Sequence, residues 1–311
     1  MINYIELFAG IGGFHKGFDS NKEFNSVFAT DIDKYCKITY DYNFQNNLYL
    51  CNIRYINAYN IPDHDILTAG FPCQPFSVAG HQNGFDDKHG NLFFEIIRIL
   101  KVKKPRCFIL ENVANLKNHD NGRTFRIIYN ELSKLGYNIK YSILNTSDYN
   151  IPQNRKRIYI IGFLNINNYN TFNFPERIEL TSSISDLLSK YVDNKYYYDG
   201  KQIYYDKLKD SIKRKDRIYQ YRRTYVRENK SGLCPTLTAN MGTGGNNIPI
   251  IFDNKGIRKL TPRECFNFQG FPIEYKLPDI SDSQLYKQIG NSISVKIIEL
   301  IVNKIMDVLY G

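Results

Sequence analysis

Short apolar runs recur along the first half of the chain, and helical or turn-rich segments separate them. Tyr4-Ile5-Glu6-Leu7-Phe8, Val27-Phe28-Ala29-Thr30, Asp65-Ile66-Leu67-Thr68-Ala69, Cys107-Phe108-Ile109-Leu110 and residues 139–144 all have the length and composition of buried strands. Residues 92–101 and 125–135 carry apolar positions at helical spacing between them. Strand and helix alternating in this way predict an α/β domain with a mostly parallel sheet. The alternation holds to about Phe174. Ligands of such folds collect at the carboxyl ends of the strands, so the residues that end each run are the first candidates for chemistry.

Each run ends in polar or glycine-bearing sequence. After the first comes Ala9-Gly10-Ile11-Gly12-Gly13-Phe14, a glycine turn entering a helix that lets the backbone approach a ligand. The full dinucleotide-loop spacing is absent, so the turn alone is equally a plain loop. The second run ends in Asp31-Ile32-Asp33, about 20 residues on, where nucleotide sites bind a ribose hydroxyl. Asp33 suits a helix N-cap equally well. Together the two signals predict a small adenosine-bearing cofactor, with a further amide at Asn52 beside Ile53. The third run meets Gly70-Phe71-Pro72-Cys73-Gln74-Pro75-Phe76-Ser77, whose prolines stop the strand and place Cys73 on a stiff turn. A thiol there is a candidate nucleophile, or a small buried hydrophobe. Residues 78–91 read as a loop able to close over substrate, and the fourth run ends in Glu111-Asn112-Val113. In Gln153-Asn154-Arg155-Lys156-Arg157, read as one extended segment, Arg155 and Arg157 fall on one face.

Beyond Phe174 the composition changes. Residues 195–230 hold twelve Lys/Arg against five Asp/Glu, a local +7 within the formal +10 of the 311-residue chain, interleaved with eight tyrosines. Disordered basic tails are poor in aromatics. A folded basic surface for a polyanion is predicted, nucleic acid first and anionic membrane second. Regular helical patterning resumes at residues 263–271, and Gln288-Ile289-Gly290-Asn291-Ser292 leads into an amphipathic helix at 295–309. The six cysteines lie far apart and no HxxxH occurs among five histidines, so neither a metal site nor a disulfide framework is expected. No apolar run approaches the ~18 residues of a spanning helix and no leader opens the chain, so a cytosolic protein is expected.

Taken in order, Phe8 to Phe14, Gly70 to Gln74, Glu111 to Val113, Gln153 to Arg157, Arg263-Glu264-Cys265 with Gly270-Phe271-Pro272, and Gly290-Asn291-Ser292 strongly resemble the bacterial DNA (cytosine-5) methyltransferases of restriction–modification systems, the HhaI type in particular. The resemblance runs from residue 2 to about 305 and is thin only in the basic middle. It implies a doubly wound, mostly parallel seven-stranded sheet of the class I S-adenosylmethionine methyltransferase fold, with a second, smaller target-recognition domain. The expected boundaries are 1–185, completed by 284–311, for the catalytic domain and 186–283 for target recognition and hinge. The implied cofactor is S-adenosyl-L-methionine, the product S-adenosyl-L-homocysteine, and the partner double-stranded DNA. No membrane partner is implied; a cytoplasmic bacterial monomer paired functionally with a cognate endonuclease is.

The resemblance also assigns residues. Cys73 becomes the thiolate nucleophile, Glu111 the group at the pyrimidine N3 edge, Arg155 the donor to the base carbonyl and Arg157 its support. Phe8, Gly10, Ile11, Gly12, Gly13, Asp31, Ile32, Asn52, Ile53, Gly70, Pro72, Leu92, Asn291 and Ser292 would form the cofactor site. Asn52 stands where the family has Asp, and an amide carbonyl still accepts a bond from an adenine amino group. Ser77 and Thr236 would contact DNA, and Gln220 would fill the stack vacated by the flipped cytosine. Arg222 and Arg223 are guanine readers or phosphate contacts. An RNA cytosine-5 methyltransferase of the transfer-RNA type shares these motifs, and a non-catalytic DNA-binding relic is the alternative outside the enzymes; intact Cys73, Glu111 and Arg155 argue against the relic. A Rossmann oxidoreductase would leave Cys73 unexplained.

Overall fold

In the computed structural model, residues 1–72, 92–243 and 247–310 are described. Cys73, Ser77 and the 78–91 loop lie outside them. In chain order the elements run β1 (Ile2–Leu7), α1 (Gly13–Phe18), β2 (Phe24–Asp31), α2 (Lys34–Asp41), β3 (Tyr49–Leu50), β4 (Ile66–Gly70), α3 (Leu92–Lys103), β5 (Cys107–Val113), α4 (Arg123–Lys134), β6 (Asn138–Asn145), β7 (Gln153–Asn154), β8 (Lys156–Phe163) and α5 (Ile166–Thr171). They continue as α6 (Tyr205–Ser211), β9 (Tyr219–Arg222), β10 (Tyr225–Glu228), β11 (Cys234–Pro235), β12 (Ile250–Phe252), β13 (Ile257–Lys259), α7 (Pro262–Phe268), α8 (Asp282–Asn291) and α9 (Val295–Tyr310).

The chain divides into two compact units, Met1–Leu144 with Lys156–Glu176 and Ile297–Gly311, and Asn145–Arg155 with Arg177–Lys296. The larger unit is discontinuous in sequence. Its borders fall near 176 and 297, and α8 packs within the second unit.

In the first unit, seven strands form one sheet in the order β3-β2-β1-β4-β5-β8-β6. The neighbours from β3 to β5 are parallel, and β8 is antiparallel to β5. The expected α/β sheet is therefore present. Its interior follows from the apolar runs: Leu67, Phe108, Leu110, Ile158 and Ile160 are fully buried and pack with Phe93, Ile96, Ile99 and Leu100 of α3. Strand order reverses at β1, which pairs with β2 on one side and β4 on the other. The carboxyl ends of β1, β2 and β4 thus surround a topological switch point, where open α/β sheets leave a crevice.

The second unit carries a smaller antiparallel sheet, β10-β9-β12-β13, over a core of Leu208, Ile212, Tyr219, Ile250 and Ile257. The aromatic-rich basic stretch is folded, with β9 and β10 forming a hairpin. Arg258 on β13 is 1% exposed and makes a bidentate pair with Glu264 (2.7 and 2.8 Å), while Glu264 also closes a capping box with Thr261 at the start of α7. A buried guanidinium is tolerated only when paired and hydrogen-bonded in this way. The Arg263-Glu264-Cys265 motif therefore contains an architectural carboxylate.

Among the described residues no helix is long and apolar enough to cross a membrane.

Candidate active site and cofactor cleft

The glycine turn after β1 is held by the acid that ends β2. Asp31 accepts the Gly10 N–H at 2.8 Å through one oxygen and the Asp33 N–H at 2.9 Å through the other. Burial pushes its carboxyl above the usual range, and the N–H bonds oppose that shift. A carboxylate has about four acceptor positions, so Asp31 can hold this turn and still accept from a hydroxyl. Asp33 caps α2, accepting from Tyr35 and Cys36. The N-cap reading of the Asp31-Ile32-Asp33 triplet therefore holds for Asp33.

Beside Asp31 opens a cavity of about 260 Å³ lined by Phe8, Asp31, Ile32, Asn52, Ile53, Pro72 and Leu92, together with Thr30, Cys51 and Arg54. A carboxylate, an amide, a hydroxyl and a guanidinium stand among apolar side chains, a mixture that suits a nucleoside. Seven of the expected cofactor residues are in this wall. Thr30, Cys51 and Arg54 were not foreseen, since each is merely a neighbour of a motif residue. Asn52 caps the one-turn helix that follows it, accepting from Arg54 N–H at 3.1 Å, so one lone pair of its carbonyl is occupied.

The turn glycines serve different ends. Gly10 has φ +55° and open space where a side chain would stand. At Gly12, φ is +75° and a Cβ would come 2.3 Å from Phe44 and 3.0 Å from Tyr40. Ile11 and Gly13 are buried beneath the turn. Below it lies a polar cluster that the sequence reading missed. Glu6, fully buried in β1, accepts the His15 N–H (3.1 Å) and the Tyr40 hydroxyl (3.2 Å), and His15 Nδ1 is 2.6 Å from that hydroxyl. Burial raises the Glu6 carboxyl to about 8 and lowers the His15 imidazole to about 3. The available signal was a glutamate inside an otherwise apolar strand.

On the other side of the switch point, Glu111 is brought to the sheet edge by register. It lies opposite Gly70 on β4 and Tyr159 on β8. It is largely buried and pairs with Arg157 Nε at 3.1 Å. Its neighbour Asn112 donates to the Phe71 carbonyl at 2.8 Å and accepts from Val113 N–H, which ties the Gly70-Phe71-Pro72 segment to β5.

Arg155 and Arg157 do not lie along one strand. β7 ends at Asn154 and β8 starts at Lys156, so Arg155 is the break between them, and alternation does not carry across it. Arg155 is 2% exposed, and its guanidinium donates to the carbonyls of Leu237 (2.8 Å), Gly290 and Ser292. It clamps two segments of the second unit, one at Leu237 and one at the end of α8. Arg157 is the arginine beside Glu111.

Asn291 and Ser292 end α8 in the second unit, with the Ser292 carbonyl also accepting from Gln269. Gln220 is buried and accepts from Arg222 at 3.1 Å. The Thr236 hydroxyl donates to the Asn154 carbonyl at 2.6 Å. Of the described cysteines, Cys107, Cys234 and Cys265 are fully buried, which pushes their thiols up and disfavours the thiolate.

The family model of the C-5 cytosine-specific DNA methylases matches residues 2–307. The chain belongs to this family. Among curated relatives, the type II methyltransferase M.Bsp6I of Bacillus sp. (strain RFL6) is 51% identical over 310 residues, 98% of each chain. M.HhaI of Haemophilus parahaemolyticus is 37% identical over 324 residues, covering 98% of this chain and 94% of that one. Among solved structures, the Entamoeba histolytica methyltransferase EhMeth superposes with a TM-score of 0.77 at 23% identity, covering 100% and 99% of the two chains. Dnmt2 of S. pombe gives 0.76 at 21%, covering all of both, and at such identities the likeness is one of fold. The protein is thus a DNA cytosine-5 methyltransferase.

Proposed function

We propose that this methylase acts on a cytosine flipped out of a short duplex site, through a covalent bond between Cys73 and C6, and that it protects DNA from a cognate restriction endonuclease. Its relatives of restriction–modification type, at up to 51% identity over nearly the whole chain, support the biological setting. One observation supports the chemistry most directly: Glu111 and Arg157 are paired at 3.1 Å on the sheet edge where Asn112 holds the segment leading to Cys73.

C5 of an aromatic cytosine is a poor nucleophile, and inside a duplex it is inaccessible, so the base must first leave the stack. Addition of the Cys73 thiolate to C6 moves electrons toward C5 and N3, making C5 enamine-like. Glu111, carrying a proton, would donate to N3 and stabilise that charge. Arg157 Nε already reaches Glu111, so its fork is placed to donate to the neighbouring base carbonyl; Arg155, committed to three carbonyls, takes the supporting role. The two arginines thereby exchange the parts that resemblance alone gave them. S-adenosyl-L-methionine, which Asp31, Ile32, Asn52 and Ile53 would hold, supplies an electrophilic methyl group when bound. After transfer a base removes the C5 proton, the Cys73–C6 bond breaks, and the thiolate is regenerated.

A duplex with 5-fluorocytosine at the target, incubated with enzyme and cofactor, should give a denaturant-resistant adduct, because C5 then has no proton to lose. Cys73→Ser should give neither adduct nor methyl transfer while DNA binding is retained. Methyl transfer at the normal rate by Cys73→Ser would refute the covalent route.

A further inference from the structure

The β9–β10 hairpin presents two adjacent arginines in unlike settings. Tyr225 pairs with Arg222 at the end of the ladder, leaving Arg223 and Thr224 as the two-residue tip. Arg223 has φ +45°, a left-handed conformation that glycine, asparagine or aspartate adopts more easily. A two-residue hairpin tip calls for positive φ, and here an arginine rather than a glycine supplies it. Arg223 is exposed, and its flexible stem gives a point charge ample reach.

Arg222 borders a polar cleft of about 150 Å³, with Gln220, Thr236, Thr238, Asn240 and Asn247 among its walls. Those walls have largely committed their own donors. Thr236 donates to the Asn154 carbonyl, Thr238 to the Asn240 side chain, and Asn247 to the Asn240 carbonyl. The charged donor left to the cleft is Arg222. One of its five N–H groups is fixed on Gln220 Oε1 at 3.1 Å, and Gln220 is itself buried, so the plane of the guanidinium is set before any ligand arrives. A phosphate, with oxygens facing several ways, accepts such a fork from many orientations. Two parallel bonds to the edge of a base require one plane, and O6 and N7 of guanine are the pair that an arginine fork matches in the major groove.

We propose that Arg222 reads a guanine in the recognition site, oriented by Gln220, and that Arg223 grips the phosphate backbone from the hairpin tip. This rests on the duplex-DNA reading above. The experiment methylates a duplex library randomised around cytosine with the wild type, Arg222→Lys, Arg222→Ala and Arg223→Asn, followed by bisulfite sequencing. Binding of each variant to a site-containing duplex is also measured across salt concentrations. Both Arg222 variants should lose discrimination at one guanine position by about 5- to 150-fold, Lys included because it keeps the charge without the fork. Arg223→Asn should leave the consensus intact, weaken binding to all duplexes, and flatten the slope of log K against log salt by roughly 0.9, one phosphate. Its melting temperature should equal or exceed that of the wild type. An unchanged consensus in Arg222→Ala, or wild-type selectivity in Arg222→Lys, overturns the assignment. A wild type that methylates no duplex cytosine overturns the DNA reading itself, and the assignment with it.

Discussion

Exchanging either of the two arginines around residue 156 for lysine should separate architecture from chemistry. Arg155 is 2% exposed and its two terminal nitrogens serve the carbonyls of Leu237, Gly290 and Ser292. A lysine carries one ammonium in place of the planar fork, so it can satisfy one of these two segments and leaves the other without a charged donor. Each such bond from a charged group is worth about 1.5–3 kcal/mol, and a stranded buried acceptor costs about 1–3 kcal/mol. Arg155→Lys is therefore expected to lower unfolding free energy by about 2–4 kcal/mol. Arg157 has one described ionic partner, Glu111 at 3.1 Å, and lysine preserves that charge pair. Arg157→Lys should cost less than about 1 kcal/mol of stability. In the proposed mechanism it removes a donor aimed at the developing charge, a loss that typically lowers kcat about 10²–10³-fold. Urea unfolding followed by circular dichroism gives the first quantity, and the rate of adduct formation on a 5-fluorocytosine duplex gives the second. At a temperature where both variants are folded, the adduct rate of Arg155→Lys should exceed that of Arg157→Lys by at least about tenfold. The reverse ordering, with Arg155→Lys as stable as the wild type and inert, would refute the division of roles.

The glycine turn offers a second contrast. Gly12→Ala adds a left-handed penalty of about 1–2 kcal/mol and a contact 2.3 Å from Phe44, so it should destabilise the protein by about 2–4 kcal/mol, with partial rescue by Phe44→Leu. Gly10→Ala meets open space and should cost only the backbone term, while weakening S-adenosyl-L-homocysteine binding measured calorimetrically; no rescue at Gly12, or no binding defect at Gly10, would count against the packing argument. The buried cluster under the turn makes stability depend on pH in two opposed limbs. Glu6, raised to about 8, keeps its proton in the folded state after the unfolded chain has lost it, so its contribution is full below about 4.5 and is lost as pH rises through 8. His15, lowered to about 3, contributes above about 6.5 and its contribution is lost as pH falls toward 3. Between about 6.5 and 8 Glu6 acts alone, and melting temperature should fall across that window with a free-energy slope of at most about 1.4 kcal/mol per pH unit. Glu6→Gln should flatten the limb, and an identical limb in the variant would show that Glu6 is not its source.

The sequence alone determined the sheet, the candidate cleft and the family, because all three depend on local order. Apolar runs of strand length dictate β1, β2, β4 and β5, and the residues that end them fall at the carboxyl edge wherever the strands pair in parallel. Phe8, Asp31, Ile32 and Pro72 reach one cavity for that reason, and motif order carried Glu111 to the same sheet edge. What the order could not decide is which atoms a side chain meets. Arg155 and Arg157 look equivalent two residues apart, yet a strand break between them commits one to three carbonyls and leaves the other to Glu111. Gln220 looks available until the hairpin buries it under Arg222. Gly12 reads as a ligand-facing glycine, whereas Phe44, 32 residues further along the chain, is what occupies the space of its missing side chain. Partnerships of this kind depend on contacts between segments remote in sequence, and only the folded chain brings those segments together.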